Sequence, residues 1–387
     1  MLKSRYLFVV LLIVMPMLHP VAAQNNTFAG AGAGQSITPA GINNSFFGNN
    51  AGFNNTSGSV NSFFGFEAGQ NNTTAVDNSF FGSRAGSANT TGQSNSFFGS
   101  EAGRSNTTGL NNSFLGTYAG RSNTTGVSNS FFGASTGWNN TTGLGNSFFG
   151  TSAGFNNLTG RFNSFFGFVA GQATTTGNAN SFFGVQAGFT NTTGASNSFY
   201  GYQAGMGNTT GVENSFFGFR AGVSNSIGNF NSFFGMQAGR SNTTGRQNSF
   251  VGFNAGQFNT TGSGNTFVGH STGQSNTSGN NNTFVGANAN GAPGITNATA
   301  VGTNAAVVQS NSLVLGSING VNSATASVDV GIGTTAPKTK LHVEGGDVYI
   351  SQASKGIILK SPNTFTCSRL TINNAGALVV TVLTSCP

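Results

Sequence analysis

The apolar residues of this chain recur in one short phrase, Asn-Ser-Phe-Phe-Gly, which begins at Asn44 and returns every seventeenth residue until Asn282. Two variable residues, Ala-Gly, two further variable residues, Asn-Thr-Thr-Gly and a variable closing pair complete the unit. We number its positions one to seventeen from the first Asn. A fixed period with one apolar segment and Gly-marked corners is typical of a solenoid, in which each unit forms one coil.

The length of the unit determines what kind of coil it can form. Seventeen residues are too few for two helices and a turn, and the unit contains no apolar pattern of period 3.6. We therefore predict an all-β fold, a β-solenoid or β-roll of about fifteen 17-residue coils followed by a small C-terminal β module. Positions two to four are predicted to form one strand and positions six to eight a second. The Asn-Thr-Thr-Gly group is predicted to be a turn in which Asn and Gly adopt positive φ.

The adjacent Phe pair predicts two faces, because consecutive side chains of a strand point in opposite directions. The third position is Phe in every copy, and we predict that it forms a core ladder inside the coils. This ladder comprises Phe46, Phe63, Phe80, Phe97, Phe114, Phe131, Phe148, Phe165, Phe182, Phe199, Phe216, Phe233, Phe250, Phe267 and Phe284.

The fourth position would then form an outward column. Its Phe residues, a candidate oligomer face, are Phe47, Phe64, Phe81, Phe98, Phe132, Phe149, Phe166, Phe183, Phe217 and Phe234. So many exposed rings exceed what a soluble monomer usually tolerates, which predicts a homo-oligomer whose copies meet at this column. The alternative is a bulge at the flanking Ser or Gly that turns both rings inward.

The spacing changes after the seventeen-residue array, which we place at residues 44–296. Residues 297–302, Asn-Ala-Thr-Ala-Val-Gly, and residues 311–316, Asn-Ser-Leu-Val-Leu-Gly, are spaced by 14 residues within a segment assigned to 297–328. This pattern resembles the head repeats of trimeric autotransporter adhesins, whose heads are trimeric β-rolls, and the 17-residue units look like a longer-coil relative. The resemblance covers roughly residues 26–316 and implies a trimer at a bacterial cell surface.

Residues 329–387 are assigned to a junction and a C-terminal module. The junction, Val-Gly-Ile-Gly-Thr-Thr-Ala-Pro-Lys-Thr-Lys-Leu-His-Val, is similar to the segment that joins repeat arrays to C-terminal modules in phage tail-fibre-like and related bacterial surface proteins. Alternating apolar residues predict strands over 341–343, 347–350, 356–359, 369–372 and 378–382. These strands would form a small β module that caps the far end of the rod.

Both cysteines of the chain, Cys367 and Cys386, flank the last predicted hairpin. In an exported protein such a pair is expected to form a disulfide. A metal site, the other interpretation, would need more ligands than His342 offers.

The N-terminus predicts export. Two basic residues, Lys3 and Arg5, precede an apolar run and a small-residue site that ends at Ala23, as in a cleavable signal peptide over residues 1–23. A membrane-spanning helix is the alternative, but the apolar run is shorter than the roughly 18 residues a span needs. Residues 24–43 contain a weakened copy of the phrase and are predicted to be the N-terminal cap. We expect an extracellular or surface-displayed protein without a membrane span in its mature chain.

Charged residues make up only 5% of the chain, and the net charge of +7 falls to +5 without Lys3 and Arg5. The basic residues are dispersed over the coils, with only Arg104 and Arg121 at the same position of neighbouring units, so a nucleic-acid groove is not predicted. Among the carboxylates of the array, Glu67 and Glu101 share position seven but lie two coils apart. A paired-acid hydrolase site is therefore not predicted. We expect no catalytic residue, no metal ligand and no cofactor.

These observations favour a structural or adhesive rod whose variable positions contact a ligand. A tail-fibre-like receptor-binding rod is one alternative. An ice-binding solenoid is another, because ranks of Thr on a flat face can order water. The two Thr of each unit are adjacent, however, and adjacent side chains point to opposite sides.

Overall fold

A computed structural model describes residues 25–352, 355–361 and 366–385, so the predicted signal peptide lies outside the described residues. The chain divides into two compact units, one up to residue 326 and one from residue 327 onward. Every regular element in the described part of the chain is a β-strand, which confirms the all-β class.

The first unit contains the repeat array, in which each coil contributes one three-residue strand to the main sheet and the last coils add two short two-residue strands. Its strands are β1 (Thr27–Ala29), β2 (Ser45–Phe47), β3 (Ser62–Phe64), β4 (Ser79–Phe81), β5 (Ser96–Phe98), β6 (Ser113–Leu115), β7 (Ser130–Phe132), β8 (Ser147–Phe149), β9 (Ser164–Phe166), β10 (Ser181–Phe183), β11 (Ser198–Tyr200), β12 (Ser215–Phe217), β13 (Ser232–Phe234), β14 (Ser249–Val251), β15 (Thr266–Val268), β16 (Thr283–Val285), β17 (Asn290–Gly291), β18 (Thr299–Val301), β19 (Ala306–Val307) and β20 (Leu313–Leu315).

Eighteen of these strands form one parallel sheet, in which each coil pairs with the next. The register repeats the unit, so that Phe46 lies opposite Phe63 and Phe47 opposite Phe64. Strands β16, β18 and β20 continue the sheet through the 14-residue repeats, and β17 pairs separately with β19. The chain is therefore a β-solenoid of stacked parallel coils.

The predicted second strand at positions six to eight is wrong. These positions form a turn in the coils, and the backbone still bonds from coil to coil, as when Gly52 N donates to the carbonyl of Ala68 at 2.9 Å. The reason is a left-handed backbone at positions seven and nine, with φ of 55° at Glu67 and 56° at Gly69. Two such residues within one short segment curl the chain too tightly for a strand.

The prediction of positive φ within the Asn-Thr-Thr-Gly group is also wrong. Positive φ occurs at positions five, seven, nine and seventeen, and position seventeen includes even Val60, with φ of 59°. Gly at position fifteen meets a different requirement. A Cβ on Gly92 would lie 2.3 Å from the carbonyl oxygen of Gly109 in the next coil. Gly at position fifteen is therefore required because two backbones approach closely there, and not because its own φ is unusual.

The interior of the coils combines one aromatic ladder with two amide ladders. The third-position Phe and the eighth-position Ala are fully buried. Asn at positions one and twelve is fully buried as well. The Asn61 side-chain amide donates to Asn44 Oδ1 at 3.2 Å and to the carbonyl of Ala75 at 2.8 Å, which links neighbouring coils and closes its own coil. Because these amides are hydrogen-bonded, their burial is tolerated.

The cap predicted over residues 24–43 is described from residue 25 onward, and it forms one more coil. Strand β1 pairs in parallel with β2, and the Phe28 ring stacks on Phe46 with a centroid distance of 5.2 Å. Unlike the inner rings, Phe28 is 37% exposed. This coil covers the first buried ring of the array.

The second unit contains two small sheets. Strands β21 (Val330–Ile332) and β22 (Leu341–Val343) pair in parallel, whereas β23 (Ile357–Lys360), β24 (Cys367–Ile372) and β25 (Leu378–Leu383) form an antiparallel sheet. The predicted strand over 347–350 is wrong, because that segment makes no ladder.

Candidate interaction surfaces

The fourth-position side chains form the outward column, and the bulge that would turn both rings inward is absent from the strands of the described array. Phe46 is fully buried whereas Phe47, the next residue of the same strand, is partly exposed. The outward rings stack on one another along the sheet, with a centroid distance of 4.7 Å and an interplanar angle of 10° between Phe47 and Phe64. Stacking covers the ring faces and leaves the ring edges to solvent.

The column remains a large apolar surface despite this stacking. Phe98 is 40% and Phe234 41% exposed, and Leu, Tyr or Val takes the same place in five coils. A Phe side chain has about 200 Å² of surface, so each coil leaves some tens of Å² exposed and the whole array several hundred. This is at the upper limit for a soluble monomer.

A notch interrupts the column at Leu115. Phe81 stacks on Phe98 and Phe132 stacks on Phe149, but the shorter Leu115 between them carries no ring. A cavity of about 180 Å³ opens there, lined by Phe98, Leu115 and Phe132. The notch gives an apolar side chain of a partner a matching recess.

A second apolar column lies at position six, just beyond the Gly that follows the strand. Its large side chains occupy six consecutive units, namely Phe168, Val185, Tyr202, Phe219, Met236 and Phe253, and all are at least 40% exposed. Sequence reasoning treated position six only as variable. The signal that reveals this column is the uninterrupted run of large apolar residues at one position.

The charged residues of the early coils pair with one another. Glu67 Oε2 accepts from Arg84 Nε at 2.8 Å, and Glu101 Oε2 accepts from Arg104 Nη1 at 3.2 Å and from Arg121 Nε at 2.7 Å. Arg104 and Arg121 thus converge on one carboxylate, and Arg84 lies between the two acids of position seven. Acids held in this way are ion-pair partners rather than a pair poised for acid–base catalysis.

The pKa of the Glu101 carboxyl lies below its usual range, chiefly because Arg121 donates a hydrogen bond to it. Because the pKa of Glu101 is lowered in the folded state, its ion pairs contribute stability above the ordinary Glu pKa of about 4.3, and this contribution is lost as the pH falls through the lowered value. The pairs keep contact with solvent, with the side chains of Glu101 18% and Arg121 30% exposed, so the effect should stay at about 1 kcal/mol or less.

We therefore expect Glu101→Gln to lower the melting temperature slightly at neutral pH, with the difference from wild type vanishing at acidic pH. Thermal melts across the pH range would check this. Glu213→Gln is the matched control, because Glu213 makes no ion pair within the described residues. A difference between wild type and Glu101→Gln that persists unchanged at low pH would contradict the assignment.

The Thr columns offer a single exposed rank. The thirteenth-position hydroxyl donates to a carbonyl of the next coil, as from Thr73 Oγ1 to Thr90 O at 3.1 Å. Apart from Thr277, the exposed Thr of this group is the fourteenth-position one, such as Thr74 and Thr91. One narrow rank does not make the two-dimensional Thr surface on which the ice-binding alternative depends.

The described residues bear on the predicted disulfide, a metal site and a membrane span. Cys367 is buried in β24, whereas Cys386 lies outside the described residues, so the disulfide remains a prediction. No group of three or more His, Cys, Asp or Glu that could bind a metal occurs among the described residues. The same part of the chain has no helix with the length and apolarity required for a membrane span.

Neither a protein-family model nor a curated protein matches the chain. The fold and its surfaces define a β-solenoid repeat protein with two exposed apolar columns.

Proposed function

We propose that this chain is an exported structural or adhesive rod, displayed outside the cell for attachment or for presenting a ligand-binding surface. The observation that carries the proposal is the unbroken stack of eighteen parallel strands in one sheet. At about 4.8 Å per strand, this stack spans roughly 80 Å. A catalytic role has no comparable support.

Three ladders along the stack make it resistant to bending. The inner Phe rings stack at 4.8 Å from coil to coil, the first-position Asn residues bond each coil to the next, and the twelfth-position Asn residues do so except at Thr174. Each unit contacts only its neighbours, so stiffness is built up along one dimension. The variable positions then supply a regular outer surface for contacts.

Export rests on the predicted signal peptide, and assembly on the apolar columns. We propose a homo-oligomer in which the outward fourth-position column contributes to the contact between copies. The ligand or surface to which the rod attaches would be recognised by the variable positions six, seven, ten, eleven, sixteen and seventeen.

We expect the purified mature chain to appear in negative-stain electron micrographs as a rod with a straight segment of about 80 Å. A tagged full-length chain should also react with an antibody applied to intact cells, whereas a variant lacking residues 2–23 should not. Flexible or globular particles would exclude a rigid rod. Retention of the full-length chain inside the cell would exclude display, without bearing on the rod itself.

A further inference from the structure

The antiparallel sheet of the second unit has one face made almost entirely of apolar side chains. The pairing places Leu370 opposite both Ile357 and Val380, and Ser368 opposite both Leu359 and Val382. Because alternate residues of a strand share a face, these side chains and the pair Ile372 and Leu378 lie together. We call this the apolar sheet face, and it comprises Ile357, Leu359, Ser368, Leu370, Ile372, Leu378, Val380 and Val382.

The apolar sheet face is exposed within a single chain. Ile372 is 71%, Leu378 68%, Val382 66% and Val380 59% exposed, which is more than any fourth-position side chain of the seventeen-residue coils. The opposite face is mixed, because Lys360, Arg369, Thr371 and Thr381 alternate there with Ile358, Val379 and Leu383, and it is the less exposed of the two, with Cys367 buried and Ile358 37% exposed. A three-stranded sheet needs a covered apolar face for stability, and here the more uniformly apolar face is the one left open.

We propose that the apolar sheet face is a self-association surface, covered in solution by the same face of a second copy of this chain. The proposal does not depend on the attachment function or on the fourth-position column, which lies in the other unit. It assigns the main contact between copies to the C-terminal module.

The size of the face fits a contact between copies. Its exposed apolar side chains offer on the order of 100 Å² each, or roughly 600 Å² together, which approaches the ~800 Å² that each partner contributes to a stable interface. A groove of about 460 Å³, lined mostly by apolar residues but also by Gln352 and Lys355 at its margin, continues the surface past Ile372 and Leu378 towards Val348 and Ile350. Homodimer interfaces are the most apolar class of protein interface.

The composition of the face favours a second copy over a different partner. No charged residue lies on it, so two identical faces meet without like-charge repulsion and without burying an unpaired charge. It also offers almost no polar group by which a distinct protein would be selected, since Ser368 is its only hydroxyl. A flat apolar surface of this kind is complementary to itself.

Sedimentation velocity of the full mature chain tests the proposal over an about hundredfold concentration range, because self-association follows mass action. The test variant combines Val380→Lys and Val382→Lys. The matched control is Thr381→Lys, which adds a charge on the same strand between these two residues but on the opposite face. We expect wild type and Thr381→Lys to sediment as multiples of the chain, and the double variant to sediment as one chain.

Two further measurements show whether the double variant stays folded and whether the sheet forms the contact in wild type. Both valines are exposed in the single chain, so the double variant should retain the far-UV spectrum and melting temperature of the solenoid. In wild type, hydrogen exchange of a peptide covering residues 378–383 should slow as the concentration rises. Exchange that does not change with concentration would overturn the proposal.

Other outcomes also decide against it. A wild-type chain that sediments as one chain at every concentration, or a double variant that keeps the wild-type mass, excludes the sheet as the contact. If Phe81→Lys with Phe166→Lys dissociates the chain while the valine variant does not, the fourth-position column is the interface instead. A monomeric wild type that floats with neutral phospholipid vesicles would mark the face as a lipid contact.

Discussion

Replacing Phe131 by Ala is expected to destabilise the solenoid by about 3 to 5 kcal/mol, the usual cost of deleting a buried aromatic ring. Phe131 is fully buried and stacks between Phe114 and Phe148, with centroid distances of 4.9 and 4.8 Å. Its removal leaves a void in the middle of a continuous ladder. Neighbouring coils are held in register by the parallel sheet, so they cannot collapse to fill that void.

The adjacent residue supplies the control for this prediction. Phe132 belongs to the same strand but to the outward column, where it stacks on Phe149 at 4.7 Å and is partly exposed. We expect Phe132→Ala to cost about 1 kcal/mol, in line with the loss of one aromatic pair and a little burial. Unfolding both variants in guanidinium would give their losses in free energy of unfolding, provided that the dependence on denaturant (the m value) stays that of wild type. Equal losses would show that the two rings do not occupy different environments.

The different burial of Phe131 and Phe132 could be predicted from the sequence, because strand geometry allows few arrangements of adjacent side chains. A seventeen-residue period requires one coil per unit, and alternation along a strand assigns adjacent side chains to opposite faces. What alternation could not show is how the outward rings reduce their exposure. They stack along the sheet, as Phe47 does on Phe64, which is neither the inward bulge nor the uncovered column considered from the sequence.

Backbone conformation was harder to predict than side-chain placement. Gly recurs at positions five, nine and fifteen, but a Gly that adopts positive φ and a Gly that allows close approach look identical in a sequence. Gly69 is of the first kind and Gly92 of the second. Positions seven and seventeen adopt left-handed φ, and most of their residues are not Gly, as at Phe162 with φ of 57°. The stacked coils impose that conformation against local preference, and a single unit carries no sign of it.

The candidate surfaces also differ in how far the sequence could predict them. The ion pair between Glu67 and Arg84 follows from the sequence once coils are stacked, since both residues occupy position seven of successive units. The strands of the C-terminal module were largely found because their residues alternate. Their alternation shows which side chains share a face, but it cannot show whether another element of the chain covers that face.

A gap in the twelfth-position amide ladder leads to the second prediction with a large expected effect. Asn at this position donates to the Asn one coil earlier, as from Asn157 Nδ2 to Asn140 Oδ1 at 2.7 Å. Thr174 replaces the next Asn, and both Asn157 Oδ1 and Thr174 Oγ1 are buried without a hydrogen-bond partner. The following residue of the ladder, Asn191, bonds only to the carbonyl of Gly194 through its amide nitrogen.

We expect Thr174→Asn to stabilise the solenoid by about 1 to 3 kcal/mol, the cost of leaving a buried polar group unpaired. The new amide would donate to Asn157 Oδ1 and accept from Asn191. The backbone already has the required form, because the Thr174 N–H donates to Gly171 O at 3.0 Å, as Asn157 N–H does to Gly154 O. A higher guanidinium midpoint with an unchanged m value would confirm that the new amide restores the ladder.

Two controls separate the repair of the ladder from a general effect of substitution. Thr174→Val removes the unpaired hydroxyl but leaves Asn157 Oδ1 without a donor, so it should recover only part of the stability gained by Asn. Asn123→Thr creates the same gap in an intact stretch, where Asn123 bonds to Asn106 and to Asn140 at 2.7 Å each. We expect it to destabilise the solenoid by as much as Thr174→Asn stabilises it. If Val and Asn stabilise equally at position 174, the missing amide is not what limits stability there.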